Sequence, residues 1–231
     1  MQYDFAAGEI LLINKPLDWT SFDVVKKVRN TIRVKKVGHA GTLDPLASGL
    51  LILCTGKFTK RIDEIQGQEK EYTGSIRLGE VTPSYDRETE VTETCDISHI
   101  SEEEIKAAAQ SFVGTIEQVP PIYSAVMVDG KRAYDLARKG KSAELKPRTI
   151  TIKAFDITSI EGAELYFRVV CTKGTYIRSL AHDLGQKLGC GAHLSSLVRT
   201  RIGEYKLEDA LTIEDIQEIR RQQLETDGSN S

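Results

Sequence analysis

Residues Leu50 to Cys54 (LLILC) form the longest nearly uninterrupted apolar run in the chain. Five residues fall far short of the ~20 needed to cross a bilayer. The run follows a stretch broken by Gly38, Gly41, Pro45 and Gly49, which are residue types that punctuate loops. A short apolar run bounded in this way predicts a buried strand that emerges from a loop. The 231 residues allow one large domain or two small ones. With 40% hydrophobic and 28% charged residues, the chain has an ordinary globular composition. A chain of this length buries roughly 70–75% of its unfolded surface and needs no disulfide or structural metal to hold a core.

The remaining pattern alternates irregularly between strands and helices. Glu9–Asn14 reads as a buried strand ended by Lys15-Pro16. Thr20 or Ser21 can cap a helix with Asp23 in its first turn, and Phe22, Val25, Val28 and Ile32 give that helix an apolar face. Tyr72–Leu78 reads as a strand. Ser101 with Glu104 forms a capping box ahead of Ile105, Ala108, Ala109 and Phe112. Tyr123–Val128 reads as a strand before an Asp129-Gly130 turn, and a short helix over 133–139 ends at Gly140. Thr149–Ile160 and Glu164–Cys171 form a hairpin around Glu161-Gly162, with Leu165, Phe167 and Val169 on one face. Ile177, Leu180, Ala181, Leu184 and Leu188 mark a helix stopped by Gly189, and Thr212 opens a last helix with fraying from Glu225 onward. Recurring hairpins favour an α+β fold over a doubly wound parallel sheet. The expected organisation is a catalytic-size domain over 1–205 and a helical tail over 206–231.

Several chemistries are disfavoured. Cys54, Cys95, Cys171 and Cys190 form no C-x-x-C pair, and His39, His99, His182 and His193 lack metal-ligand spacing, so no metal is expected. Gly38-His39-Ala40-Gly41-Thr42 is not a phosphate loop, Gly189-Cys190-Gly191 is not a dinucleotide fingerprint, and no Gly-x-Ser-x-Gly elbow is present. The N-terminus carries Asp4 and Glu9 in place of the basic region of a secretory signal, so a cytoplasmic location is expected.

The net charge of −3 hides a strong segregation. Ser21–Arg61 carries nine Lys and Arg against two Asp, and Lys131–Lys153 carries eight against one Asp and one Glu. These segments are either solvated faces or a surface for a polyanion. Asp44, within the Gly-punctuated loop, also reads two ways. It is a turn aspartate that caps the backbone, or a preorganised carboxylate able to act as nucleophile or general base.

The run Gly38-His39-Ala40-Gly41-Thr42-Leu43-Asp44-Pro45-Leu46-Ala47-Ser48-Gly49-Leu50-Leu51 closely resembles the catalytic motif of the TruB family of bacterial tRNA pseudouridine-55 synthases. Leu12–Pro16 resembles the family's N-terminal signature, and Lys70-Glu71-Tyr72 resembles its basic-x-Tyr motif. Pro121–Ala125 followed by Gly130–Tyr134, Cys171–Arg178, and Gly189–Leu194 through Leu197-Arg199 complete the set in order over roughly residues 9–220.

That resemblance implies a pseudouridine synthase-like α+β fold, with a mixed, mostly antiparallel central sheet flanked by helices and an active-site cleft across it. It implies isomerisation of uridine-55 in the tRNA T-arm; because that rearrangement oxidises nothing and imports no group, no cofactor is expected, no protein partner is required, and a monomer is the default expectation. Asp44 matches the catalytic aspartate, Tyr72 the tyrosine that packs on the target base, and Arg178 the arginine paired with the aspartate. Leu197 matches a residue lining the base pocket and His39 one that holds the flipped nucleotide. Lys60, Tyr176 and Asp86 match substrate-contacting positions, and Lys131 is read with them. Tyr123 and Tyr134 are read as core aromatics, Arg199 and Arg201 as surface or RNA-backbone contacts, and His182 as a structural or partly exposed histidine. A PUA-type RNA-binding domain, common in the family, is not expected within this length. The rival readings are a synthase acting on another RNA and a tRNA-folding chaperone without catalysis. A glycoside hydrolase fits less well, because it would want a second carboxylate where the motifs supply Arg178 and Tyr72.

Overall fold

The computed structural model describes residues 3–124, 126–128, 130–140 and 145–229. Two compact units emerge, Met1–Tyr72 with Val198–Ser231, and Thr73–Leu197. The first holds β1 (Ile10–Lys15), α1 (Ser21–Ile32), β2 (Val37–His39), β3 (Ala47–Thr55), α2 (Ile62–Gly67) and the start of β4 (Lys70–Leu78). The second holds the rest of β4, β5 (Glu80–Val81), β6 (Glu93–Thr94), α3 (Glu102–Gln110), β7 (Gly114–Gln118), β8 (Met127–Val128), β9 (Lys131–Arg132), α4 (Ala133–Ala137), β10 (Arg148–Glu161), β11 (Glu164–Cys171) and α5 (Ile177–Lys187). Along β12 (Ala192–Ile202) the chain returns to the first unit, which ends with β13 (Tyr205–Lys206) and α6 (Ile213–Ser229).

In the first unit β1 and β2 both pair antiparallel with β3, Leu12 opposite Ile52 and Gly38 opposite Cys54. Side chains alternate across a strand, so the apolar run of β3 feeds two cores. Leu51 and Leu53 pack with Val24, Val25, Val28 and Ile32 of α1 and Ile213 and Ile216 of α6. Leu50, Ile52 and Cys54 pack with Ile65 and Ile202 on the other face. Burial on both faces is why this strand reads as continuous rather than alternating. Gly49 adopts φ +100°, and a Cβ there would lie 2.5 Å from the carbonyl oxygen of Arg199. Only glycine permits β3 and β12 to approach so closely.

Helix α1 opens at Thr20 with a capping box to Asp23. Its buried stripe is Val24, Val25, Val28 and Ile32, whereas Phe22 is 63% exposed rather than part of the core face. A residue two positions before Val24 falls on nearly the opposite side of a helix of 3.6 residues per turn. Helix α6 opens with Thr212 and Asp215 bonded reciprocally, side chain to backbone, and continues to Ser229, past the point where fraying is expected.

In the second unit the strand order is β12-β4-β11-β10-β7. The β10–β11 hairpin and the β7–β10 pair are antiparallel. Phe155 of β10 meets Phe167 of β11 edge-on at 6.1 Å. Helix α3 packs over β10, and Gln110 Nε2 donates to Phe155 O. The strand expected over Tyr123–Val128 is confined to Met127–Val128 among the described residues. The reason is local: Pro120-Pro121 offers no N–H for a ladder, and the carbonyls of Tyr123 and Ser124 accept from Arg178 and from the Tyr134 N–H instead. Ala125 and Asp129, the latter in the expected Asp129-Gly130 turn, lie outside the described residues; β8 and β9 pair antiparallel, Met127 opposite Arg132. The mostly antiparallel sheet with helical cover matches the expected fold class.

Candidate active site

The loop that carries Asp44 is clamped at three points within the first unit. Ser21 is fully buried; its Oγ accepts from the Leu43 N–H (2.8 Å) and donates to Leu43 O (3.1 Å). The residue before Asp44 is thus fixed by one hydroxyl at both its backbone groups. Lys15, 0% exposed, donates from Nζ to Trp19 O (2.5 Å), Pro16 O (2.9 Å) and Pro45 O (3.4 Å), gripping the residue after Asp44. Pro45 O also accepts from the Asp18 N–H at 2.9 Å.

Arg199 is the third clamp. It is 1% exposed, so it is not the surface contact that the sequence suggests. Its Nε donates to Leu50 O (2.8 Å), Nη2 to Gly41 O (3.1 Å) and Nη1 to Thr42 O (3.3 Å). The planar guanidinium fork suits three carbonyls, two on the loop at Gly41 and Thr42 and one on β3 at Leu50. Arg201, partly exposed on the same strand, pairs with Glu69 at 2.8 Å instead.

Electrostatics follow this packing. Burial pushes the Lys15 ammonium down to about 8, while the nearby Asp44 carboxylate pulls it back up. His39, half-buried at the end of β2, has its imidazole pKa lowered chiefly by burial and further by the charge of Arg199; a bond with the Gly41 backbone opposes this. His39 is therefore neutral at pH 7. Tyr72 sits on β4 and is 8% exposed, and Lys60 is exposed in the turn over Gly56–Arg61.

Of the other residues expected at the site, the second unit brings Asp86 and Arg178 together. Arg178 Nη1 lies 3.5 Å from Asp86 Oδ2, both side chains buried, and donates to Tyr123 O at 2.9 Å and Ser84 O at 3.4 Å. A buried guanidinium needs such partners, because an unpaired buried charge is strongly destabilising. Tyr176 is the N-cap residue of α5, and the buried Gln118 amide brackets its backbone, donating to Tyr176 O (3.0 Å) and accepting from its N–H (2.8 Å). Leu197 is buried on β12, and Lys131 is exposed on β9. Tyr134, half-buried, has Arg132 and Arg138 over its ring at 5.8 and 5.4 Å and is not a core aromatic.

Residues 29–177 match the model of the TruB family pseudouridylate synthase N-terminal domain, and residues 178–229 that of the tRNA pseudouridylate synthase B C-terminal domain. The chain belongs to the TruB pseudouridylate synthase family. A tRNA pseudouridine synthase B of Phocaeicola vulgatus is 52% identical over 95% of this chain and 96% of its own length. One of Chloroherpeton thalassium is 51% identical over 91% and 90%, respectively. Among solved structures, a Cbf5-Nop10-Gar1 complex contains a chain with a TM-score of 0.72 and 32% identity, over 93% of this protein and 54% of that chain. The family-like segments include Lys15, in Leu12–Pro16, and Arg199, in Leu197-Arg199, but assign neither of them to holding the Asp44 loop. For Lys15 a signal exists: Leu11, Ile13 and Lys15 alternate on the buried face of β1. Ser21 is visible only as a rival N-cap to Thr20.

Proposed function

We propose that the protein isomerises uridine-55 in the T-arm of tRNA to pseudouridine. The reading is carried by Asp44, the aspartate of the family motif, on a loop locked before and after it by Ser21, Lys15 and Arg199. The reaction breaks the N1–C1′ bond of the uridine, turns the base and forms C5–C1′. The C5 proton leaves and a proton ends on N1, so atoms and electrons balance within the substrate and no redox partner is required. Asp44 supplies the carboxylate acting at C1′ or its neighbours. Tyr72 supplies an aromatic face for the base, a kind of contact worth ~1–3 kcal/mol. Arg178 is a preorganised cation whose charge costs no rearrangement when the reaction proceeds. His39, Leu197, Tyr176, Lys60, Asp86 and Lys131 complete the substrate contacts that the family resemblance assigns.

A uridine folded into the T-arm must leave its stack before chemistry, at a cost of a few kcal/mol. The basic segments 21–61 and 131–153 fit a role in holding the phosphate backbone meanwhile. A single-turnover assay on unmodified tRNA carrying C5-tritiated uridine at the T-loop position tests this reading. Wild type should release tritium and Asp44→Asn should not. Release by both takes Asp44 out of the chemistry. Release by neither, with tRNA bound, favours a chaperone or another RNA target.

A further inference from the structure

Helix α5 presents two side chains one turn apart, Arg178 and His182, to the same three-residue segment, Ser84-Tyr85-Asp86. Residues four apart lie on one face of a helix. Arg178 Nη1 reaches Ser84 O and Asp86 Oδ2. His182 stacks flat on Tyr85, the residue between them, with ring centroids 3.9 Å apart and planes 12° apart. We propose that the Tyr85–His182 stack is a positioning device for Arg178: it holds Tyr85 in the conformation that turns both of its neighbours toward one guanidinium nitrogen. The proposal rests on the assignment of Arg178 to the reaction.

The backbone shows why such a device is needed. Tyr85 has φ +64°, in the left-handed region, which is disfavoured for a bulky residue and persists only where surrounding contacts impose it. Several do: the Tyr85 N–H donates to Thr82 O, Tyr85 O accepts from the Leu194 N–H, and Thr82 Oγ1 donates to Asp86 O at 2.6 Å. These fix the main chain, whereas the ring stack fixes the side chain that the strained residue projects. An extended Tyr85 would send Ser84 O and Asp86 in different directions, and Arg178 would lose one of them.

The chemistry of the two rings suits stacking over hydrogen bonding. Burial lowers the imidazole pKa of His182, and its Nδ1 has no hydrogen-bond partner among the described residues. Burial, assisted by Asp183, raises the Tyr85 phenol. Both rings are therefore neutral at pH 7, so no charge on the imidazole or the phenol competes with their near-parallel stacking.

The test compares His182→Ala and Tyr85→Leu, which abolish the stack, with His182→Phe, which keeps it without ring nitrogens. Single-turnover rates at saturating tRNA, tRNA affinity and melting temperature are measured in the full chain, alone and combined with Asp86→Asn. The expectation is a rate loss of about three- to tenfold for His182→Ala and Tyr85→Leu with unchanged tRNA affinity, and a rate within about twofold of wild type for His182→Phe. On the Asp86→Asn background the His182→Ala loss should largely vanish, because both changes act through Arg178. A wild-type rate for His182→Ala overturns the proposal. So does an equal loss in His182→Phe, which would place the role in the ring nitrogens, or an undiminished loss on the Asp86→Asn background, which would indicate a general structural effect. Arg178→Ala is the control for the underlying assignment: normal turnover there refutes the role of Arg178 itself, whereas an inactive Arg178→Ala beside a fully active His182→Ala refutes only the stack.

Discussion

Ser21 and Leu43 are joined by two hydrogen bonds through a single hydroxyl, which accepts from the Leu43 N–H and donates to its carbonyl. The first helix and the loop that ends in Asp44 are therefore one mechanical piece. Ser21→Ala leaves two buried backbone groups unsatisfied, each carrying a penalty of about 1–3 kcal/mol. Urea unfolding should show a loss of about 2 kcal/mol or more, and single-turnover rates should fall while tRNA affinity holds. A stability loss with an unchanged rate would separate Ser21 from the placement of Asp44.

Arg199 supports the same loop from the β12 side. Arg199→Lys keeps a positive charge but cannot reach Gly41 O, Thr42 O and Leu50 O from one planar fork. Arg199→Lys should therefore behave closer to Arg199→Met than to wild type, in both melting temperature and rate. If the residue served chiefly to contact RNA phosphates, Lys would restore most of the activity, and the defect of Arg199→Met would lie in tRNA binding and be strongly salt-dependent.

What the sequence makes legible divides along a physical line. Period and punctuation reveal the elements: the capping boxes at Thr20 and Ser101, the hairpin around Gly162 and the stop at Gly189 (φ +72°) all occur where they are read. Each is a local event governed by residues within one turn or hairpin. Phe22 fails because Val24 and Val25, not Phe22, set the buried stripe of α1, and that choice is made by the strands beneath it. Arg199 is misplaced for a related reason. Composition treats a cation as a surface residue, and only the register of β12 shows that this guanidinium points inward at carbonyls far along the chain. Lys15 and Arg199 fall within the family-like segments Leu12–Pro16 and Leu197-Arg199, but those segments alone do not show which carbonyls the two side chains hold.

Lys15 gives a pH signature with two opposite limbs. Its folded pKa, about 8, lies below its usual 10.5. The unfolded chain therefore binds more protons between these values, and the contribution of Lys15 to stability rises with pH across that window. Activity should move the other way. Above about pH 8 the neutral amine keeps two donors for three carbonyls and loses the charge that faces Asp44. Single-turnover rate should decline through this range while denaturation shows no matching loss of fold. Lys15→Arg, with a group that stays charged, should flatten the alkaline limb; an unchanged limb in that variant would assign it to another group.

Asp183, the neighbour of His182 on α5, supplies a stability test of the opposite sign. Burial raises its carboxyl from 3.8 to about 6. Between those values the folded state holds a proton that the unfolded chain releases, so its contribution to stability falls as pH rises from 4 to 6 and stays at its lowest above that. Asp183→Asn removes the titration while keeping nearly the same shape. The variant should be more stable than wild type at pH 7, and the gain should shrink as the pH is lowered toward 4. Paired urea titrations at several pH values read this as a difference, in which all the groups that titrate alike in both proteins cancel. A gain that does not vary with pH would mean that the asparagine acts through packing or hydrogen bonding, and that the Asp183 carboxyl is not held in its neutral form by burial.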